Sequence, residues 1–116
     1  MQIEVISLGG SVLAPATIDV RFLTRLKKLL FRFHDRKFVI VTGGGKVARL
    51  YIDALRKDKL PERVLNYAGI AITRMNAKFL AEFFMKDQYY PIPKSLKEVK
   101  NLLKKPPKEY YFPIFR

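Results

Sequence analysis

The hydrophobic positions of the chain fall into short continuous apolar runs and longer helical stripes. Residues 38–41 form a run of Phe, Val and Ile without alternation, which is typical of a strand covered on both faces in a parallel sheet. Residues 3–8 read as an earlier strand. Between the two runs, apolar residues recur at steps of three and four, namely Val20, Leu23, Leu26, Leu30 and Phe33. This spacing predicts a helix with one buried stripe, capped by Thr17 or Asp19.

Each predicted strand ends in glycines that lead toward a helix. Gly9-Gly10-Ser11 follows the first strand and Gly43-Gly44-Gly45 follows the second, before a helix predicted over residues 46–57. That helix is predicted to turn Val47, Leu50, Tyr51 and Ala54 inward. The order strand, helix, strand, helix predicts parallel strands joined by a right-handed crossover. Both glycine turns should therefore lie at one edge of the sheet.

The second half of the chain continues with helices and weaker strand signals. Pro61 suits the first turn of a helix, a bend is expected at residues 66–70, and an apolar helix should follow to about Lys86. Residues 89–92 and 110–115 read as strands, and Ser95 with Glu98 forms a capping box for a helix ending near Lys104. The predicted fold is α/β, with three αβα layers around a mainly parallel sheet.

Composition narrows the functional classes. The 116 residues suit one domain at most, and no apolar run is long enough to span a membrane. The chain has no cysteine and one histidine, His34, so a thiolate site is excluded and no metal site is predicted. The net charge of +13 favours polyanionic partners, but the basic residues are scattered and no nucleic-acid motif is present. Nucleic-acid binding is therefore not the favoured interpretation.

The glycine turns carry the candidate chemistry. Backbone without Cβ atoms before a helix N-terminus is typical of an anion site, most often for phosphate. Residues 43–48 fit the dinucleotide fingerprint G-x-G-x-x-G/A only formally, since they follow the second strand, and the P-loop pattern fails because Val47 follows Lys46. Two such turns side by side suit phosphoryl transfer between two phosphorylated molecules.

Three segments together resemble a known family. They are residues 8–13 (LGGSVL), 42–52 (TGGGKVARLYI) and 69–77 (GIAITRMNA), in this order and spacing. The chain resembles the archaeal type of uridylate (UMP) kinase in the amino-acid kinase superfamily. The resemblance covers residues 1–116 as the N-terminal portion of the family's fold, which leaves the C-terminal half incomplete.

The resemblance implies roles for individual residues. The ATP phosphates are expected at Gly9, Gly10, Ser11, Gly45 and Arg49, and UMP at Gly43, Gly44 and Asn66. Asn66 stands where the family usually has an aspartate that accepts hydrogen bonds from the UMP ribose, and Ser7 where many relatives have a charged residue. Thr73, Arg74 and Asn76 match the family signature and are interpreted as orienting a helix or a subunit contact. No catalytic side chain is predicted.

The implied function is transfer of the ATP γ-phosphoryl group to UMP with Mg²⁺, in the cytoplasm. The chain is expected to be a split or truncated subunit that acts as a homo-oligomer or together with a complementing C-terminal half. Two alternatives stay open from the residues themselves. One is a non-catalytic basic module that binds nucleotides or polyanions, and the other is a kinase of the same superfamily with another phosphate or a carboxylate as acceptor.

Overall fold

A computed structural model describes residues 2–14, 17–33, 35–85, 92–104 and 114–115. The elements in chain order are β1 (Gln2–Leu8), α1 (Gly10–Leu13), α2 (Val20–Leu30), β2 (Arg36–Thr42), α3 (Gly45–Lys57), α4 (Glu62–Met85), α5 (Leu96–Lys104) and β3 (Ile114–Phe115). His34, residues 89–91 of the predicted strand at 89–92 and most of the predicted strand at 110–115 lie outside the described residues. None of the described helices is long and apolar enough to cross a membrane.

The sheet is parallel, and β2 lies at its centre. β1 pairs with β2 in parallel from Gln2 opposite Arg36 to Leu8 opposite Thr42, and β3 pairs in parallel with the other edge of β2. The predicted parallel α/β fold is therefore confirmed. Because Leu8 and Thr42 are partners, the two strands end together and release both glycine turns at the same edge of the sheet.

One face of the sheet packs against α2 and α4. Phe38 and Ile40 of β2 join a buried cluster with residues of both helices, including Leu23, Leu30, Leu80 and Phe84. Leu23, Ile40 and Leu80 are completely buried, so this layer is the centre of the core. Lys27 links the two helices, since its Nζ donates to the carbonyl oxygen of Phe83 at 3.0 Å.

Helix α5 contacts the opposite face of β2 near the start of the strand. Lys37 Nζ donates to the carbonyl oxygen of Leu103, and Val99 of α5 is buried. Val39, on the same face as Lys37, is only 5% exposed. Helices therefore lie on both faces of β2, as the uninterrupted apolar run predicts.

Two predicted helix caps are present. The carboxylate of Asp19 accepts a hydrogen bond from the backbone N–H of Phe22 at 3.0 Å, so Asp19 rather than Thr17 caps α2. Ser95 Oγ accepts from the backbone N–H of Glu98 at 3.2 Å. The Glu98 carboxylate accepts from the N–H of Lys94, one residue before the position that a standard capping box uses.

One element was not predicted and one local prediction is wrong. Residues 10–13 form the short helix α1, which the sequence pattern did not indicate. The bend expected at residues 66–70 is absent, because α4 runs unbroken from Glu62 to Met85. Gly69 is tolerated inside this helix, and a Cβ built there would already lie 3.4 Å from Cδ1 of Ile52. The small residue thus lets α3 approach α4 closely.

The predicted inward face of α3 is also wrong. Leu50 is 71% exposed and Tyr51 57%, and Val47 and Ala54 are exposed as well. The helix instead turns Ala48 toward the interior, with Ile52 and Leu55 half-buried. Both sets of residues have helical spacing, so periodicity alone did not distinguish them. The set that begins with Ala48 faces α4, and the close contact between the two helices buries it.

The two glycine turns touch through their backbones. A Cβ atom built on Gly10 would lie 2.7 Å from the carbonyl carbon of Gly44 and 2.8 Å from Cα of Gly45. A Cβ atom on Gly45 would lie 2.7 Å from the backbone nitrogen of Ser11, and Gly45 has a φ of +61°. Neither position has room for a side chain, so the contact requires glycine on both sides.

Replacing Gly10 with alanine should destabilise the fold, whereas the same change at Gly9 should not. The Gly10→Ala methyl group meets backbone atoms that cannot rotate away, which we expect to cost about 1–3 kcal/mol in the free energy of unfolding. Gly9 has a φ of −60° and open space where its Cβ would be, so Gly9→Ala should change stability by less than about 1 kcal/mol. Urea unfolding followed by circular dichroism measures both variants. Equal losses would contradict the backbone contact.

Candidate functional site

A cleft of about 680 Å³ opens beside the contact between the glycine turns, between α3 and α4. Four residues predicted as phosphate- or nucleotide-binding line it: Gly44, Gly45, Arg49 and Asn66. Gly44 and Gly45 form its end nearest the sheet, and Asn66 is an exposed residue of its α4 wall. The fold therefore brings together residues that are up to 22 positions apart in the sequence.

Arg49 connects the two glycine turns. It lies in the second turn of α3, and its Nη2 donates to Ser11 Oγ at 3.2 Å across a sequence separation of 38 residues. The guanidinium is exposed and keeps further N–H groups that can reach a ligand. An arginine in this position can contact anionic oxygens bound at either glycine turn.

Asn76 holds the second glycine turn from α4. Its Nδ2 donates to the carbonyl oxygen of Gly43 at 2.8 Å, and the side chain is half-buried. This bond links the loop after β2 to the middle of α4. It turns the Gly43 carbonyl toward α4, while the interpretation of Thr73, Arg74 and Asn76 as orienting a helix or a subunit contact stays a prediction.

Small residues bring the two walls of the cleft together. The site of a Cβ on Gly44 is already occupied by the methyl group of Ala48, and Thr73 Oγ1 is 3.4 Å from that site. The Thr73 hydroxyl donates to the carbonyl oxygen of Gly69 at 2.9 Å, so it is satisfied within α4. Ala48 and Thr73 are both buried. The floor of the cleft is thus a close-packed seam of small side chains.

The rim of the cleft carries more positive than negative charge. Arg49 and Arg56 line it together with one carboxylate, Glu62. Arg56 Nη2 lies 4.0 Å from Glu62 Oε1, and Arg56 Nη1 lies 3.7 Å from Asp53 Oδ1. All three side chains are more than half exposed. Such exposed pairs contribute little stability, so the Arg56 guanidinium can turn toward an anionic ligand at small cost. Gly45 is the first residue of α3, so the positive end of this helix dipole lies at the same end of the cleft.

The described residues contain no group of three or more His, Cys, Asp or Glu side chains that could hold a metal ion. We therefore assign none of the described residues to Mg²⁺. The open space at Gly9 and Gly43, where a Cβ would meet nothing within 4 Å, fits a phosphate group approaching the backbone.

The remaining predicted residues lie next to the cleft and not in its lining. Gly9, Gly10 and Ser11 form the neighbouring glycine turn. Gly43 accepts the hydrogen bond from Asn76. The sequence reasoning missed Arg56 and Glu62 as rim residues. Arg56 lies near the end of α3 and Glu62 at the start of α4. These positions point to a shared cleft only once α3 and α4 are known to be antiparallel neighbours.

Comparison with known proteins agrees with this architecture. Residues 2–106 match the Amino acid kinase family. The uridylate kinase of Thermoplasma volcanium is 42% identical over 110 residues, which are 95% of this chain and 46% of that protein. The uridylate kinase of Aeropyrum pernix is 39% identical over 102 residues, 85% of this chain and 44% of that protein.

A solved structure supports the same family. The crystal structure of uridylate kinase from Archaeoglobus fulgidus superposes with a TM-score of 0.76 at 30% sequence identity, over 99% of this chain and 50% of that chain. The chain thus spans about half the length of the relatives it matches. The resemblance to archaeal uridylate kinases, predicted from the three motifs, is confirmed, and the chain belongs to the amino acid kinase family.

Proposed function

We propose that this chain forms the glycine-turn half of a kinase that transfers the γ-phosphoryl group of ATP to UMP. The observation that carries the proposal is the contact of two glycine turns at one sheet edge, bridged by Arg49 and opening into a cleft. The similarity to uridylate kinases supports UMP as the acceptor. Another phosphate or a carboxylate is the alternative acceptor within the same fold.

The proposed reaction is a direct displacement. An oxygen of the UMP phosphate forms a bond to the γ-phosphorus, the bond from that phosphorus to the β,γ-bridging oxygen breaks, and ADP and UDP result. The acceptor is already an anion, so no side chain has to remove a proton from it. The protein therefore contributes mainly positioning and stabilisation of negative charge.

Donor and acceptor phosphates are proposed to occupy the two sides of the glycine contact. Gly9, Gly10, Ser11 and Gly45 would present backbone N–H groups to the ATP phosphates, with Arg49 donating to the transferred group. Gly43 and Gly44 would border the UMP phosphate, and Asn66 Oδ1 would accept from a ribose hydroxyl in the cleft. Mg²⁺ would neutralise phosphate charge when bound with ATP, but we assign it no side chain of this chain.

The net charge of +13 favours a second candidate function, a non-catalytic module that binds polyanions. Electrostatic binding of this kind weakens steeply with salt and does not distinguish UMP from other anions. RNA binding that falls by orders of magnitude between 50 and 200 mM salt, without selective UMP binding, would favour this candidate over the kinase.

The proposed activity should require a second half of the fold. We expect little release of ADP from ATP and UMP by the chain alone, because the relatives are about twice as long and we infer that the part this chain does not match holds further residues for the reaction. Adding the part of the Thermoplasma volcanium uridylate kinase that this chain does not match should raise the rate well above that of either polypeptide alone. A coupled ADP assay measures this. Full turnover by the lone chain would contradict the need for a second half.

Arg49 should be needed for transfer in that mixture. Arg49→Ala removes the donor that bridges the turns, and we expect a loss of about 10²–10³-fold in kcat, the size seen when one donor to a transition-state oxygen is removed. Arg49→Lys should recover only part of the rate, since lysine lacks the planar pair of donors. Arg25→Ala, at an exposed position of α2, is the matched control and should stay within twofold. An unchanged kcat in Arg49→Ala would argue against its contact with phosphate.

Asn66→Asp should strengthen UMP binding. A carboxylate accepts stronger hydrogen bonds from ribose hydroxyls than an amide does, and a gain of about 1 kcal/mol corresponds to about fivefold in Kd. Isothermal titration calorimetry with UMP measures the change. Asn101→Asp on α5 is also exposed, adds the same charge away from the cleft and should leave Kd unaltered. Weaker binding by Asn66→Asp would place the ribose elsewhere.

A further inference from the structure

Helix α2 carries a row of basic side chains on the side that faces away from the core. Arg21, Arg25 and Lys28 follow one another at steps of four and three residues, which places them on one face of the helix. Arg32 continues the row in the turn after the helix, where its backbone N–H donates to the carbonyl oxygen of Leu29 at 3.2 Å. All four basic side chains are exposed. We name these four residues the α2 basic face.

The positive charge of the α2 basic face is not neutralised within the described part of the chain. None of its side chains forms an ion pair with a described carboxylate. The two acidic residues nearest in the sequence have other partners. Asp19 accepts from the backbone N–H of Phe22, and Asp35 Oδ1 lies 3.7 Å from Nε of Arg36. Because like charges at these helical spacings repel each other, the face costs the helix some stability that an anionic partner would restore.

The length of the α2 basic face matches a row of phosphates. Arg21 and Arg32 are 11 positions apart, which corresponds to about 16 Å of helix axis at a rise of about 1.5 Å per residue. One strand of a nucleic-acid duplex carries a phosphate about every 3.4 Å along its axis, so this length spans about five phosphates. Three of the four cations are arginines, whose planar guanidinium groups can each donate two parallel hydrogen bonds to phosphate oxygens.

The composition of the face favours the nucleic-acid backbone over the bases. The face holds no amide or aromatic side chain that could bond to or stack on a base. Contacts to phosphate alone position a protein on a duplex and carry no sequence information. Binding by this face should therefore have no sequence preference.

Two other kinds of anionic partner fit the face less well. A helix that lies on an anionic membrane inserts an apolar side, but the apolar side of α2 is packed into the core through Leu23 and Leu30. An acidic protein would need a buried aromatic or aliphatic anchor near the centre of the contact. Arg25 and Lys28 occupy that centre and offer none.

We propose that the α2 basic face binds the phosphate backbone of duplex nucleic acid. None of its residues lines the cleft between α3 and α4, so the inference does not depend on the proposed kinase activity. It also differs from polyanion binding by net charge alone, because it assigns the contact to four side chains on one helix. Helical periodicity gathers these basic residues, which appear scattered in the sequence, into one surface.

Two charge-matched variants test the proposal. The first combines Arg21→Gln, Arg25→Gln and Lys28→Gln. The second removes the same amount of charge from exposed positions of α5 and combines Lys97→Gln, Lys100→Gln and Lys104→Gln. Fluorescence anisotropy with a labelled DNA duplex, and with an RNA duplex of the same sequence, measures Kd at low salt. We expect the α2 variant to bind roughly tenfold more weakly or worse and the α5 variant to stay within about threefold. Circular dichroism spectra check that both variants are folded.

The salt dependence of binding gives a second readout. Each contact with a DNA phosphate adds about −0.9 to the slope of log Kobs against log salt concentration, so the α2 variant should flatten that slope by about 2.7. The α5 variant should keep the slope of the unaltered chain. A merely structural effect of the α2 substitutions would not change the slope in this way.

Three results would overturn the proposal. The first is that neither duplex binds the unaltered chain at low salt. The second is an equal loss of affinity in the two variants, which would show that net charge alone attracts the duplex. The third is tighter binding to vesicles containing phosphatidylserine than to either duplex, lost in the α2 variant, which would make a membrane surface the partner of the α2 basic face.

Discussion

The backbone contact between the two glycine turns is the constraint on which the site depends. Parallel pairing ends β1 and β2 side by side at Leu8 and Thr42, so the turns that follow must share a small space. Gly10 and Gly45 approach so closely that a Cβ on either would overlap the other's backbone. Since the turns are fixed to the ends of the sheet, two sets of backbone N–H groups are held in place before any ligand arrives, which reduces the ordering that binding requires.

Helix α4 supports this contact from outside the sheet. Asn76 holds the Gly43 carbonyl, and the seam of small residues around Ala48 and Thr73 sets the distance between α3 and α4. Arg49 donates a hydrogen bond to Ser11 and so links α3 to the first glycine turn. The chain thus joins the two glycine turns, the Arg49 bridge and one cleft wall into a single packed unit.

Much of the fold follows from local rules. The apolar run of β2, the Asp19 cap and the Ser95 cap are determined within a few residues of their own positions, and they are present as predicted. The two glycine turns were predicted to lie together because strand ends in parallel sheets meet at one edge, and Arg49 was added to them from the family resemblance. Arg56 and Glu62 were not, because nothing near them in the sequence shows that the ends of α3 and α4 border one cleft.

The sequence by itself determined the parallel order of strands and helices, the position of the glycine turns and the family to which their motifs point. Tertiary structure alone decided which face of α3 is buried. That helix has two apolar stripes with the same spacing, and the stripe of Ala48, Ile52 and Leu55 is the one turned inward because it faces α4, where Ile52 lies against Gly69. It also decided that α4 is unbroken at Gly69 and that Val5 is exposed while Val39 is buried. Burial depends on which elements pack nearby, and periodicity within one element carries no information about its neighbours.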